Sequence, residues 1–129
     1  MNLGGWALVE HISDWHTRLS AAGVERDVAL RSFTVCFGQL AQAGRPESMF
    51  KDVAIAISQL ASKPSGYGCD VRQLQEYMPN TLNALLAEFG TADCSLIECT
   101  GVTGMEVLKK LNVGWHKMYE ANEPGRVTI

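Results

Sequence analysis

Three features of the sequence predict an all-α fold. Every long apolar pattern recurs at the three- and four-residue spacing of a helix face. No segment alternates with the two-residue period of a half-buried strand, and glycine or proline separates the periodic stretches. Residues 1–129 are expected to form one domain of about five to six helices, with a three-helix body over 1–62 and a second helical region over 70–129. A chain of this length removes roughly two-thirds of its unfolded surface from water. Its 47% apolar and 19% charged residues exclude wholesale disorder. Charged residues interrupt every apolar run before the ~20 residues a membrane-crossing helix needs, so no membrane partner is expected. The amino terminus, M-N-L-G-G-W-A-L-V-E, has neither a basic leader nor an adequate apolar stretch, which makes the cytoplasm the expected address.

The first helix is expected from about Gly5 to Ala22, on the stripe Leu8, Ile12, Trp15, Leu19 and Ala22, with Gly23 ending it. Glu10, His11, Asp14 and His16 lie on this helix at spacings that suit metal ligation. Bundle metal sites repeat a Glu-x-x-His pattern on several helices, and no second copy occurs here, so a solvated face is the better reading. No metal or other cofactor is expected.

The second helix, about Glu25 to Ala43, carries Val28, Leu30, Phe33, Val35, Cys36, Phe37, Leu40 and Ala41 and leaves a narrow polar edge. That edge is Glu25, Asp27, Arg31, Ser32, Gln39 and Gln42. So wide an apolar surface places the helix at the centre of the fold or half under another subunit. Gly44 closes it, and Pro46 suits the first turn of a third helix, where a missing N–H is harmless. This third helix, to Ser62, has the stripe Phe50, Val53, Ile57 and Leu60, widened by Met49, Ala54 and Ala61, and is expected to pair with the second.

Lys63 to Cys69, K-P-S-G-Y-G-C, reads as a loop; no strand precedes it and its lysine comes before the glycines, which excludes a phosphate-binding loop. Asp70 is expected to cap a fourth helix with Val71, Leu74 and Met78 inside. Leu82, Leu85, Leu86 and Phe89 continue its face beyond Pro79, either as one kinked helix or as two. Gly90 stops it, and within residues 91–102 Ser95 to Cys99 suit a short helix or strand. Cys36, Cys69, Cys94 and Cys99 are expected to be reduced thiols, Cys36 serving as a small core residue. Cys94 and Cys99 lack the spacing of a zinc knuckle.

Thr103 to Asn122, T-G-M-E-V-L-K-K-L-N-V-G-W-H-K-M-Y-E-A-N, carries the strongest functional signal. Thr103 can cap a helix whose inward residues are Val107, Leu108 and Leu111. Asn112 tolerates the left-handed conformation of a tight turn, Val113 can drop into the angle, and a second helix from Gly114 or Trp115 turns Met118 and Ala121 inward. This segment resembles a helix-turn-helix hairpin, a likeness that implies a second helix in a DNA major groove. The residues left outside are Trp115, His116, Lys117 and Tyr119, with Lys109, Lys110 and Arg126 adding positive charge. The tail Glu123 to Ile129 opens with a turn and ends in β-formers, giving a short C-terminal strand of a wing or a frayed end.

The net charge of −3 is uneven: residues 70–102 carry −4 and residues 103–129 carry +1. That balance is weak for a DNA-binding surface. Three functions are expected in order. The first is a small non-enzymatic regulator, contacting DNA through the hairpin as a homodimer. The second is a protein-interaction module, such as an adaptor, inhibitor or immunity-type factor, presenting the acidic 70–102 region and the aromatics of the last helix to a protein partner. The most distant is a metal or small-ligand protein. Catalysis is disfavoured because His11, His16 and His116 have no motif-borne nucleophile beside them.

Overall fold

The computed structural model describes the backbone of residues 8–122 and the side chains of residues 10–118. Seven α-helices follow in chain order: α1 (Leu8–Ala21), α2 (Arg26–Gln42), α3 (Ser48–Ser62), α4 (Gly68–Tyr77), α5 (Asn80–Phe89), α6 (Cys94–Cys99) and α7 (Gly104–Asn122). The described residues contain no strand, and the all-α expectation holds. The helices outnumber the expected five to six for two local reasons. Pro79 breaks the fourth helix rather than kinking it: Met78 before it is extended (φ −133°, ψ 90°), as the proline ring requires, and Pro79 is the cap position from which α5 begins. Residues 94–99 form a short helix because the Asp93 side chain accepts from the Ser95 N–H at 2.9 Å. None of the described helices is long and apolar enough to cross a membrane.

α7 ties the halves together, lying against α2, α3 and α5; α1 closes on α2 and α3, α4 packs on α3 and α5, and α6 rests on α4. α2 and α3 touch as expected, Phe33 and Phe37 meeting Phe50 edge-on, but the more extensive neighbours of α3 are α1, α4 and α7. α2 is not surrounded. It buries Ala29, Phe33, Val35, Cys36, Phe37 and Leu40, together with Ser32 and Gln39 from its expected polar edge, while Val28 and Leu30 are only half-buried. The Nε2 of Gln39 is buried with no hydrogen-bond partner among the described residues.

One aromatic cluster holds α1, α2 and α3. Trp15 stacks on Phe50 (centroids 4.9 Å) and meets Phe33 edge-on, and Phe33 stacks on Phe37 at 5.5 Å. The Trp15 indole N–H donates to the Ala29 carbonyl at 3.0 Å, so this indole enters the core with its polar edge satisfied. Ile12, expected on the inner stripe of α1, is 37% exposed; His11 instead approaches the cluster, edge-on to Phe50.

Tyr67 corrects the reading of residues 63–69 as plain loop. It is fully buried, its hydroxyl donates to the Val102 carbonyl at 2.7 Å, and its N–H donates to Glu98 Oε1 at 2.8 Å. α4 thus begins at Gly68, and Asp70 lies inside the helix rather than capping it, accepting from Lys63 Nζ at 2.7 Å.

α7 starts as expected at Thr103, in a reciprocal box: Thr103 Oγ1 accepts from the Glu106 N–H and Glu106 Oε1 accepts from the Thr103 N–H, each at 3.3 Å. A Cβ on Gly104 would stand 1.9 Å from the Leu60 carbonyl oxygen, so only glycine lets α7 touch the end of α3 this closely. From there the helix is unbroken. The helix-turn-helix expectation over 103–122 is overturned, because no turn forms at Asn112 and the chain stays helical through Val113 and Gly114. The physical reason is in the spacing: Leu108, Leu111, Trp115 and Met118 step by three, four and three, one continuous helix face. A turn at Asn112 would take Trp115 off it. Asn112 is buried in mid-helix and Val113 is 41% exposed rather than wedged inward. The expected C-terminal strand over 123–129 lies outside the described residues.

Candidate functional site

Because α7 is straight, its residues after Leu111 sort differently from the hairpin reading. Trp115 is fully buried between α7 and α5, and its indole N–H donates to Thr81 Oγ1 at 3.1 Å. It is a core anchor, and its place in the expected contact face with His116, Lys117 and Tyr119 is corrected. His116 and Lys117 are exposed, as are Lys109 and Lys110 one to two turns earlier. The side chain of Tyr119 and the whole of Arg126 lie outside the described residues.

The exposed flank of α7 faces a flank of α2, and between them runs a half-open groove of about 820 Å³. From α2 come Val28, Leu30, Arg31, Thr34 and Val35; from α7 come Lys109, Asn112, Val113, His116 and Lys117. Val28, Arg31 and Val35 fall on one helical stripe, and Lys109, Val113, His116 and Lys117 on another, so one ridge from each helix borders the groove. The two helices are tied where they meet. Ser32 Oγ lies 2.8 Å from Asn112 Oδ1 and 3.0 Å from the Val28 carbonyl, one hydroxyl proton serving both, and Asn112 Nδ2 donates to the same carbonyl at a long 3.4 Å. Buried polar groups satisfied in this way fix the crossing of two helices at one register.

The electrostatics of the groove are one-sided. Among the described residues its lining holds Arg31, Lys109, Lys117 and His116 and no carboxylate. Lys117 is partly compensated, donating to Glu88 Oε2 at 3.2 Å. Arg31 and Lys109 form no ion pair among the described residues.

The acidic region 70–102 has a different use. Asp70 pairs with Lys63, Glu88 with Lys117, Asp93 caps α6, and Glu98 holds the Tyr67 N–H. Four of its carboxylates thus have partners within the fold. Burial, with the Glu98 carboxylate nearby, pushes the Tyr67 phenol up to about 12. A smaller polar cleft of about 220 Å³ lies between α4 and α6, bordered by Arg72, Gln75, Cys94 and Glu98. Burial, with Glu98 again beside it, raises the Cys94 thiol above its ordinary value, which leaves it protonated and a poor nucleophile. Cys36 is fully buried in the core, its thiol likewise pushed up by burial.

His11, Asp14 and His16 each have a separate neighbour: Glu47 for His11, Arg18 for Asp14 and Ser20 for His16. Among the described residues no group of three or more His, Cys, Asp or Glu side chains is placed to share an ion.

Sequence reasoning reached Lys109, His116 and Lys117 but missed Val28, Leu30, Thr34 and Val35. The signal was present: the apolar surface of α2 is too wide for one core-facing stripe, and Val28, Arg31 and Val35 recur at i, i+3 and i+7 outside the stripe of Phe33, Phe37 and Leu40.

No protein-family model, curated protein or solved structure matches this chain.

Proposed function

We propose that this chain acts by binding rather than by catalysis, as a helical protein-interaction module whose docking surface is the groove between α2 and α7. One observation carries the reading: two adjacent helices turn apolar side chains into a half-open groove whose rim is cationic. Grooves of this form take helical segments of partner proteins, anchored at i, i+3, i+4 and i+7. The deep apolar positions supply contact area, and the rim charges set approach and register.

Val113→Asp tests it. Val113 is 41% exposed, so the substitution leaves the core intact while placing a carboxylate in the groove. A partner held by the unaltered protein should be lost by this variant and retained by Leu96→Asp, a control on α6, where Leu96 is 56% exposed. Loss through Leu96→Asp with retention through Val113→Asp would move the docking surface to the α4–α6 side.

A second reading keeps DNA as the partner, supported by the exposed Lys109 and Lys110 beside Lys117 on α7. Under it, removing one of these lysines weakens binding to all duplex sequences alike and lowers the salt slope by about one unit, the loss of one phosphate contact.

A further inference from the structure

We infer that the occupant of the α2–α7 groove is an acidic amphipathic helix of another protein, an inference that rests on the groove being the docking surface. The charge pattern singles out this occupant. The chain carries −3 overall, yet the groove gathers Arg31, Lys109 and Lys117 with no carboxylate among its described lining residues. Arg31 stands on the α2 ridge and Lys109 on the α7 ridge, one cation on each side of the apolar floor. A helix lying between them meets positive charge on both flanks. Its matching surface is an apolar stripe bordered on both sides by Glu or Asp. A basic helix would bring like charge against both ridges, and a neutral one would leave Arg31 and Lys109 facing uncharged groups. A second copy of this chain is a weaker match, because Asp14, Glu47, Asp70, Glu88, Asp93, Glu98 and Glu106, half of its fourteen carboxylates, already hold partners inside the fold.

The experiment is a selection from a displayed library of helical peptides about five turns long, with leucine fixed at the inward positions and Glu, Gln or Lys equally represented at the flanking ones. Three purified full-length proteins serve as bait: the unaltered chain, Arg31→Glu with Lys109→Glu, and Val113→Asp. The unaltered chain should enrich Glu on both flanks. The charge-reversed chain should enrich Lys, and a Glu-flanked winner should bind it about tenfold or more weakly, since exposed ion pairs are individually small and two are inverted. That affinity gap should shrink as salt rises. Val113→Asp should enrich nothing above background. Neutral or Lys-flanked winners that Val113→Asp eliminates would overturn the acidic occupant and leave the docking groove standing. No winners, or winners insensitive to Val113→Asp, would overturn both. Sedimentation of the unaltered chain alone gives the remaining outcome: a self-association abolished by Val113→Asp would make a second copy the occupant and refute the acidic partner. All three substituted positions are exposed, so matching thermal unfolding of the baits is expected.

Discussion

An indole stabilises a core fully only when its ring is sealed from water and its N–H keeps a partner, and Trp115 meets both conditions through Thr81. Trp115→Ala is therefore expected to cost about 3–5 kcal/mol by denaturant unfolding, and Phe33→Ala in the α1–α3 cluster a similar amount. A change below roughly 1 kcal/mol would place either ring at the surface. Tyr67 gives a pH-dependent test. Its phenol is raised to about 12 from an ordinary 10.0, so the fold favours the neutral form. The sign follows: this stabilisation is complete below the unfolded value, declines as pH rises from about 10 to about 12, and is lost above. Ultraviolet titration should show one phenol ionising near about 12 that Tyr67→Phe removes. Loss of a step at the ordinary value instead would mean that Tyr67 is open to water. Neither role was legible in the sequence. Asn112 suits a turn that would carry Trp115 to the surface, and the proline and glycines around Tyr67 have the composition of a loop. Each ring is fixed by a partner distant in the chain, Thr81 for Trp115 and Val102 for Tyr67.

At the scale of elements, helical periodicity located α1, α2, α3 and α5 to within a few residues, because each has an apolar stripe and a glycine or proline at one end. What periodicity could not supply was which helices touch. α7 meets α5 at Gly114, where an added Cβ would stand 2.7 Å from the Ala84 Cβ and 3.0 Å from its Cα. In an exposed helix Gly→Ala gains up to ~1 kcal/mol. Here overpacking of about 1–3 kcal/mol opposes it, so Gly114→Ala should be net destabilising, and adding Ala84→Gly should recover part of the loss. Stabilisation by Gly114→Ala alone would contradict the close α5–α7 approach. The helix-turn-helix likeness failed for a related reason. Asparagine in mid-helix is a weak helix former, and its side chain is tolerated at position 112 because Ser32, eighty residues away in the chain, hydrogen-bonds it. A contact at that separation leaves no local trace.

At the scale of the molecule, charge is divided by use. Asp70 ties α4 to the end of α3, Glu88 ties α5 to α7, Asp93 caps α6 and Glu98 holds the segment before α4, so four of the five carboxylates in the −4 region have partners inside the fold. The cations of α2 and α7 border a groove instead, and part of the expected contact surface, Lys109, His116 and Lys117, lies on it. The most direct test of the groove as the docking surface is nuclear magnetic resonance titration of the labelled full-length chain with the peptide that binds it most tightly. The amide signals of Val28, Arg31, Val35, Lys109 and Val113 are expected to shift most, while those of Arg72, Cys94 and Leu96 stay in place. Shifts centred on α4–α6, with Val28 to Val35 and Lys109 to Lys117 unmoved, would contradict it.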